Sequence, residues 1–312
     1  MINKGKFSIV SPVYKAEKIV PELVKRIVLN ISKITNDYEV ILVCDGSPDN
    51  SWLAIKNECE KNEHIIVINL SRNFGQHYAL SAGLKKASGE WVFVMDCDLQ
   101  DRPEEFSLLY QEAVNKNLDY VVAKRIARKD TFLKRMSSVV FNGVYEWLSG
   151  IRTDRSLANY GIYNYKVIAA YNSMIDASRS WQSLLSYVGF KNGVVEVEHS
   201  SRYEGKSSYS WKRLYKLSMD IILSNSNKPL KFAINLGGII TLISLIMVLY
   251  NLIVFLIDDV LPGFSSTMIS IWFVGGVNVF LIGVIGLYID KIFNQVKSRP
   301  LYIISEILNG KE

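Results

Sequence analysis

The chain has 312 residues, of which 49% are hydrophobic and 21% charged, and its formal net charge at pH 7 is +6. Such a length is too great for a peptide or a disulfide-stapled miniprotein, and so high an apolar content excludes intrinsic disorder. The three cysteines, Cys44, Cys59 and Cys97, have neither CxxC spacing nor a histidine cluster nearby. The sequence therefore indicates no zinc site and no disulfide framework, and it suits a reducing cytosol.

The amino-terminal part alternates short β-branched runs with amphipathic stretches. This spacing of apolar residues predicts strands and helices in turn. The predicted strands cover residues 7–11, 38–44, 65–70 and 91–95, and the predicted helices cover residues 20–32, 51–62 and 78–87. Such alternation is typical of a Rossmann-type α/β fold, in which a mostly parallel sheet is covered by helices on both faces.

Polar or turn-forming residues follow each of these strands. They are Pro12-Val13-Tyr14, Asp45-Gly46-Ser47, Ser71-Arg72-Asn73 and Asp96-Cys97-Asp98. Because ligands of open parallel sheets bind beyond the carboxyl ends of the strands, these residues are the first candidates for a binding site.

The sharpest local feature is the apolar run 92–95 followed by Asp96-Cys97-Asp98. Two carboxylates one residue apart at the end of a strand can converge on one cation, because the chain turns there. Their oxygens suit Mg²⁺ or Mn²⁺, and Mg²⁺ keeps positions open for substrate phosphates. An isolated pair of this kind is more often part of a solvated loop, but the buried strand before it favours a diphosphate-binding metal site.

The middle of the chain is basic. Residues 124–135 contain six lysines and arginines against one acid, and a second basic set occupies residues 202–216. Positive charge of this kind suits anionic lipid or a phosphorylated substrate. The sequence shows no helix-turn-helix, zinc-finger or RNP-like motif, so it does not indicate nucleic acid as a partner.

Two runs without charged residues follow, at 232–257 and 260–289. Each exceeds the roughly 20 residues that a helix needs to cross a bilayer, so we expect two transmembrane helices, near 233–257 and 267–289. Basic residues flank the outer ends of the pair, whereas the loop between them carries only Asp258 and Asp259. By the positive-inside rule, we expect both termini in the cytoplasm. The two helices are expected in the plasma or inner membrane. The apolar stretch at the start of the chain is too short for a signal peptide.

These features divide the chain into four parts. We expect a cytoplasmic domain at 1–210, a juxtamembrane amphipathic segment at 211–231, the two spans at 232–289 and a cytoplasmic tail at 290–312. Glycines recur in both spans and permit close helix contact, within the pair or between protomers of a homo-oligomer. Because the spans contain no Asp, Glu, Lys, Arg or His, nothing in them indicates transport.

A series of motifs runs through the first 210 residues. In chain order they are Ser11-Pro12-Val13-Tyr14 with Glu17, Asp45-Gly46-Ser47-Pro48-Asp49, Arg72-Asn73-Phe74-Gly75-Gln76, Ala82-Gly83, Gly89, Met95-Asp96-Cys97-Asp98-Leu99-Gln100-Asp101 and Arg202-Tyr203-Glu204-Gly205-Lys206-Ser207-Ser208-Tyr209-Ser210. With these motifs and the paired carboxyl-terminal helices, the sequence resembles the family-two glycosyltransferases of the polyprenyl-phosphate type. That group includes dolichyl-phosphate mannose synthases and bacterial undecaprenyl-phosphate glucosyltransferases. The resemblance implies a GT-A-like fold and an inverting, metal-dependent transfer of a sugar from a nucleotide-sugar to polyprenyl phosphate.

The resemblance also implies roles for individual residues. The nucleotide-sugar is expected to contact Pro12, Tyr14, Glu17, Asp45, Asn73 and Gln100. Mg²⁺ or Mn²⁺ is expected on the catalytic pair Asp96 and Asp98, where it would stabilise charge on the leaving diphosphate. The acceptor phosphate is expected to contact Arg125, Arg128, Arg202 and Lys206. A UDP-sugar is the expected donor, and a GDP-sugar fits the same motifs.

The sequence departs from the family pattern at Asn159-Tyr160-Gly161, where an Asp-Phe-Arg stretch often supplies a base. A polyprenyl phosphate is already anionic and needs no base, whereas the alternative acceptor, a hydroxyl of a lipid-linked glycan, needs one. Asp154 is either a substitute for the missing acid or an ordinary surface residue. A third interpretation is a non-catalytic nucleotide-sugar binder or membrane scaffold. The retained Asp96 and Asp98, together with Asp45 and Glu17, disfavour it.

Overall fold

The computed structural model describes residues 5–125, 157–174, 176, 181–197, 226, 228–257, 263–297 and 299–310. The chain divides into two compact units. The first comprises Met1–Thr131, Thr153–Ser208 and Arg299–Glu312, and the second comprises Phe132–Arg152 and Tyr209–Ser298.

Four parallel strands form the centre of the first unit, in the order β3-β2-β1-β4. The strands are β1 (Phe7–Val13), β2 (Tyr38–Cys44), β3 (Ile65–Leu70) and β4 (Trp91–Val94). The helices that connect them are α1 (Val20–Ile31), α2 (Ser51–Lys61) and α3 (Gln76–Lys86). Every boundary lies within two residues of its predicted position, so the predicted parallel α/β core is confirmed.

Four further strands extend this core on both sides. They are β5 (Tyr120–Arg125), β6 (Leu157–Asn164), β7 (Asn192–Val197) and β8 (Ile304–Leu308). The complete order in the described residues is β7-β5-β6-β4-β1-β2-β3-β8, with β6 antiparallel to β4 and β5, and β8 antiparallel to β3. None of these four strands was predicted from the sequence. Strands β7 and β8 are largely exposed, so they lack the continuous apolar run typical of a buried strand.

Helices cover both faces of the sheet, as predicted. Strand β1 shows why, since Phe7, Ile9 and Val13 belong to one hydrophobic core and Val10 belongs to the other. The first core includes side chains of α1, α2 and α4 (Phe106–Asn115). The second includes side chains of α3, α5 (Tyr165–Ser173) and α6 (Trp181–Val188). Full burial of each large apolar side chain contributes about 1.5–3 kcal/mol, so both faces stabilise the unit.

The carboxyl-terminal residues return to the sheet. Besides the β3–β8 pairing, the N–H of Ser71 donates to the carbonyl oxygen of Ile303 at 2.9 Å. The side-chain amide of Asn309 donates to the carbonyl oxygens of Cys59 and Ile65, both at 3.2 Å. The end of the segment expected as a tail thus forms an edge strand of the first unit.

The described part of the second unit contains two long helices, α7 (Lys228–Ile257) and α8 (Phe264–Val296). Among the described residues, one stretch, Phe273–Val296, is long and apolar enough to cross a membrane. That result supports the second of the two predicted spans. The helices approach closely at Gly237, where a Cβ would lie 3.3 Å from Cδ1 of Leu281.

Candidate active site

The carboxyl ends of the four central strands meet at one edge of the sheet, because these strands run parallel. Tyr14 follows β1, Asp45 follows β2, residues 71–75 follow β3, and Asp96 comes shortly after β4. The topology therefore brings the predicted donor-binding and metal-binding residues of the amino-terminal part to one place.

Asp45 is 3% exposed, and its carboxylate holds the loop that follows β3. The backbone N–H groups of Phe74 and Gly75 donate to its two oxygens at 2.8 and 2.9 Å. Burial raises the pKa of Asp45, although these two hydrogen bonds act in the opposite direction. In this structure, the predicted donor-binding residue Asp45 therefore fixes the position of its neighbouring loop.

The same loop is pressed against the turn that contains Gly46. Gly46 has a φ of +53°, and a Cβ on it would lie 2.2 Å from the carbonyl carbon of Arg72 and 2.4 Å from the nitrogen of Asn73. Glycine fits because it lacks a Cβ and adopts positive φ without strain. The exposed Arg72 stacks its guanidinium 4.2 Å from the centre of the Phe74 ring. The predicted donor-binding residue Asn73 thus lies exposed on an anchored loop.

A network of hydrogen bonds joins the loop after β1 to the loop after β2. The Asp49 carboxylate accepts from the hydroxyl of Ser47, whose oxygen in turn accepts from the N–H of Lys15 at 2.8 Å. Glu17 accepts from the N–H of Asn50 at 3.0 Å, so this predicted donor-binding residue also links the two loops. Burial alone would raise the pKa of Asp49, but its hydrogen bonds hold the pKa below its usual range.

Pro12 and Tyr14 occupy different environments. Pro12 is buried in the part of β1 that pairs with β2 but not with β4. Proline has no N–H to donate, so its absence from the β4 pairing leaves no β4 carbonyl oxygen without a donor. Tyr14 is 40% exposed, and the ammonium group of Lys15 lies 5.6 Å from the centre of its ring. The aromatic face at this edge of the sheet is therefore partly open to a ligand.

The segment after β4 turns sharply at the paired carboxylates. The N–H of Asp96 donates to Oδ2 of the buried Asp101 at 2.9 Å, and the N–H of Gln100 donates to Oδ1 of Asp98 at 3.1 Å. Leu99 lies between them with a φ of +58° and a buried side chain. Positive φ is uncommon for a residue other than glycine, and the buried leucine side chain holds the turn in this conformation.

Helix α3 also contacts the pair, because its first residue, Gln76, donates from Nε2 to Oδ1 of Asp96 at 2.6 Å. Burial lowers the pKa of the adjacent His77, because it disfavours the charged imidazolium. Burial, reinforced by the two neighbouring carboxylates, raises the pKa of the Cys97 thiol to about 12.

Two half-buried carboxylates suit a divalent cation that completes its coordination elsewhere. Within the described ranges, no three His, Cys, Asp or Glu side chains gather into a metal-binding group. A cation on Asp96 and Asp98 would therefore take its other ligands from water or from substrate phosphates, as Mg²⁺ commonly does.

Asn159 lies on β6 at the same edge of the sheet. Gly161 pairs with Val94, the last residue of β4, and Asn159 and Asp96 each lie two residues beyond that pair in the same direction. The position where the family often has an acid thus lies at the same edge of the sheet as the candidate metal site. At Gly161, a Cβ would lie 2.5 Å from the carbonyl oxygen of Val121, so this strand accepts no side chain there.

The predicted acceptor residues are not described at the level of side chains. Arg125 ends β5, and its side chain lies outside the described set. Arg128, Arg202 and Lys206, the possible base Asp154, and most of the juxtamembrane segment also lie outside the described residues.

Sequence reasoning gave no role to Gln76, Asp49 or Asp101, although all three lie within the quoted motifs. Each acts on a neighbouring loop or on another candidate residue. Their presence beside strand ends is the only signal in the sequence, because such contacts depend on how the loops fold over the sheet.

Residues 8–178 match the sequence profile described as Glycosyl transferase family 2. The chain belongs to this family. The match covers more than half of the chain and contains every candidate site residue except Arg202 and Lys206. The predicted family and enzyme class are thereby confirmed, and the protein is a family 2 glycosyltransferase.

Two relatives show how far the similarity extends. The glycosyltransferase is 33% identical over 305 residues to an uncharacterised glycosyltransferase of Synechocystis sp., covering 96% of this chain and 95% of the relative. It is 31% identical over 317 residues to the undecaprenyl-phosphate 4-deoxy-4-formamido-L-arabinose transferase of Proteus mirabilis, covering 99% and 95%. At 99% coverage, the second similarity includes α7, α8 and β8 as well as the central sheet.

Solved structures confirm the GT-A-like fold of this glycosyltransferase. A mannosyltransferase of Pyrobaculum calidifontis, solved with GDP-Man and Mn²⁺, superposes with a TM-score of 0.51 at 12% identity, covering 96% of this chain and 89% of that one. Glucosyl-3-phosphoglycerate synthase of Mycobacterium tuberculosis, solved with Mn²⁺ and UDP-Glc, gives a TM-score of 0.50 at 14% identity, covering 70% and 78%. At such low sequence identities, the structural similarity is evidence for the fold alone.

Proposed function

We propose that this glycosyltransferase moves a sugar from a UDP-sugar to a polyprenyl phosphate, such as undecaprenyl phosphate, at the cytoplasmic face of the membrane. The observation that carries the proposal is the placement of Asp96 and Asp98 beside Asp45 and Tyr14, in a chain similar over 99% of its length to an undecaprenyl-phosphate transferase. The placement supports a nucleotide-sugar site, and the length of the similarity supports the lipid acceptor.

In the proposed reaction, Asp96 and Asp98 hold Mg²⁺ or Mn²⁺. The two carboxylates fit such a cation, and both solved neighbours contain Mn²⁺ with a nucleotide-sugar. When bound, the ion supplies positive charge to the leaving diphosphate. We propose that Tyr14, Glu17 and Asp45 contact the nucleoside, and that Asn73 and Gln100 contact the diphosphate.

The proposed acceptor requires no general base. A bond forms between C1 of the sugar and an oxygen of the lipid phosphate, while the bond from C1 to the diphosphate breaks and the nucleoside diphosphate leaves with the electron pair. Attack from the side opposite the leaving group inverts C1. The lipid phosphate is anionic at pH 7, so no proton must be removed, which agrees with Asn159 at the position where an acid is frequent.

Basic residues of the middle region are proposed to hold the acceptor phosphate. Arginine suits this role because its planar guanidinium can donate two hydrogen bonds to one phosphate. The proposed contacts are Arg125, Arg128, Arg202 and Lys206.

The return of β8 to the sheet supports two membrane spans. Because β8 pairs with β3, the end of the chain lies on the same side of any membrane as the catalytic sheet. If Phe273–Val296 crosses the membrane once, the chain must also cross before it. Helix α7 supports that role, since its 30 residues extend about 45 Å and residues 232–257 carry no charge. The flanking basic residues favour a cytoplasmic location for the sheet.

A product assay tests the proposal. Purified full-length protein in detergent is incubated with labelled UDP-sugars and GDP-sugars, with Mg²⁺ or Mn²⁺ present or chelated, and with undecaprenyl phosphate present or absent. We expect a label that extracts into organic solvent only when a UDP-sugar, the metal and the lipid phosphate are all supplied.

Other results would contradict the proposal in separate ways. Full activity with chelator would remove the metal role of Asp96 and Asp98. Transfer to a lipid-linked glycan, with none to undecaprenyl phosphate, would replace the acceptor and direct the search for a base to Asp154. Binding of the nucleotide-sugar without any turnover would indicate a binding protein.

A further inference from the structure

The loop after β3 contacts the candidate site at both of its ends. Phe74 and Gly75 bond to Asp45 at the end proposed for the nucleoside, and Gln76 bonds to Asp96 at the end proposed for the metal. We propose that Gln76 is a positioning residue that orients the Asp96 carboxylate and thereby sets the affinity for the divalent cation. This inference rests on the proposed function, because it takes Asp96 as a ligand of that cation.

The geometry of the contact suits a positioning role. Nε2 of Gln76 lies 2.6 Å from Oδ1 of Asp96, and a hydrogen bond to an ionised carboxylate is stronger than one between neutral groups. An ionised carboxylate has about four acceptor positions, and this bond fills one of those on Oδ1. Because the amide is neutral, it orients Asp96 without reducing the negative charge that would attract the ion.

Gln76 is itself held in place by the residues before it. Gly75 has a φ of +113°, which lets the chain turn into α3, and its N–H is bonded to Asp45. Asp45 is buried at the end of β2, and its own N–H donates to the carbonyl oxygen of Val13 at 3.0 Å. The position of Gln76 is therefore determined by the carboxyl ends of β1, β2 and β3.

Asp96 is fixed from the other direction through its backbone. Its N–H donates to Oδ2 of Asp101, which is 3% exposed. Asp101 thus sets the main-chain position of Asp96, whereas Gln76 sets the direction of its carboxylate. Loss of the amide would leave this backbone contact in place and remove the hydrogen bond that Gln76 donates to the carboxylate.

This arrangement predicts a specific defect for Gln76→Met, which keeps the length of the side chain without a hydrogen-bond donor. Outer-shell partners of metal ligands typically change metal affinity by roughly 10–100-fold when they are replaced. We expect the variant to bind Mn²⁺ about tenfold more weakly, and to regain most of its kcat at saturating Mn²⁺. A purely structural defect would not be recovered by added metal.

The experiment measures Mn²⁺ binding directly. Free Mn²⁺ is followed by electron paramagnetic resonance during titration of the purified full-length protein in the presence of UDP, and activity is measured over the same Mn²⁺ range. Gln111→Met is the matched control, because Gln111 is exposed on α4. Gln76→Asn is a second variant with a smaller change, and melting temperatures show that each variant is folded.

The outcomes separate this inference from the proposed function. If Asp96→Asn abolishes Mn²⁺ binding while both Gln76 variants bind like the parent, the positioning role is wrong and the metal site stands. The role is also wrong if Gln76→Met loses kcat at every Mn²⁺ concentration with unchanged affinity. If the parent binds no Mn²⁺, or Asp96→Asn binds like the parent, the metal site itself is wrong and the inference fails with it.

Discussion

Single carboxylates have different partners at the two ends of the parallel strands. At the amino ends, the buried Glu39 accepts hydrogen bonds from Lys6, Ser8 and Ser88. At the carboxyl ends, Asp96 is half-buried at an edge where loops, rather than strands, surround it. The same chemical group thus stabilises the sheet at one end and forms the proposed cation site at the other.

Glu39→Gln should lower the free energy of unfolding by about 2 kcal/mol at pH 7, because a charged acceptor is lost from a buried network. Burial alone would raise the pKa of Glu39, but hydrogen bonds from Lys6, Ser8 and Ser88 hold it below its usual range. The stabilisation is therefore complete above about pH 4.3, the pKa expected in the unfolded chain, and disappears as the pH falls through the lower native pKa.

Thermal unfolding of the full chain in detergent, followed by fluorescence from pH 7 to pH 3.5, measures this effect. The difference between parent and variant should shrink at the acidic end. Glu63→Gln serves as control, since Glu63 is exposed. An equal difference at all pH values would show that the Glu39 charge does not provide the stabilisation.

Asp98→Ala should reduce turnover by at least ~100-fold. It removes one of the two proposed ligands of the cation, whose positive charge would stabilise the leaving diphosphate. Its melting temperature should change little, since the side chain is half-buried at the sheet edge. The control is Asp37→Ala, at an exposed position. Parent-like turnover in Asp98→Ala would exclude the metal assignment.

Among the structural elements, loops rather than strands define the candidate site. The loops after β1, β2 and β3 bond to one another through Asp49, Glu17 and Asp45, and each loop therefore constrains the next. Because the backbones of these loops are in tight contact, we expect small changes in them to lower the stability of the protein.

Gly46→Ala tests that coupling. The new Cβ would collide with the backbone of Arg72, and a left-handed conformation costs roughly 1–2 kcal/mol for a residue other than glycine. We expect a lower melting temperature and a KM for the donor raised about tenfold, which corresponds to about 1.4 kcal/mol. Gly238→Ala is the control, because a Cβ at that position would meet no atom of the described residues within 4 Å. An unchanged donor KM would show that the two loops move independently.

The edge strand β8 should contribute measurably to the stability of the catalytic sheet. Asn309 has a φ of +56° and donates two side-chain hydrogen bonds, so Asn309→Ala loses both bonds and strains the backbone, whereas Asn309→Gly loses only the bonds. We expect losses of about 1–2 kcal/mol for the glycine variant and about 1 kcal/mol more for alanine. Equal stability of both variants and the parent, measured by thermal unfolding, would show that this end of the chain is not anchored.

For the whole molecule, the pairing of β8 with β3 connects the fold to the membrane topology. The chain leaves the first unit before α7 and rejoins it after α8. Any crossing by α8 must therefore be matched by another crossing, and we propose that α7 makes it.

Cysteine labelling tests this topology. Ser265→Cys, between the two proposed spans, should react with a membrane-impermeant maleimide in intact cells. Glu306→Cys, exposed on β8, should react only after permeabilisation. The parent, with its three cysteines, gives the background. Labelling of both variants in intact cells would contradict two spans with a cytoplasmic sheet.

The central strands were predictable because buried parallel strands require long apolar runs, and α1 was predictable because it shows regular amphipathic spacing. Strands β6 and β8 were not predictable in this way. Strand β6 contains Gly161, which admits no side chain, and β8 is exposed except at its last residue, Leu308. Their pairing depends on backbone hydrogen bonds to distant strands, which leave no periodic pattern in the sequence.

The sequence by itself determined the parallel core, the family motifs and the positions of Asp96 and Asp98 after a buried strand, because these follow from local spacing and residue type. Only the tertiary structure decided that Asp45 bonds to the loop after β3, that Gln76 reaches Asp96, and that the end of the chain joins the sheet. Those contacts join residues far apart in the chain, and their geometry is set by how the strands pack side by side.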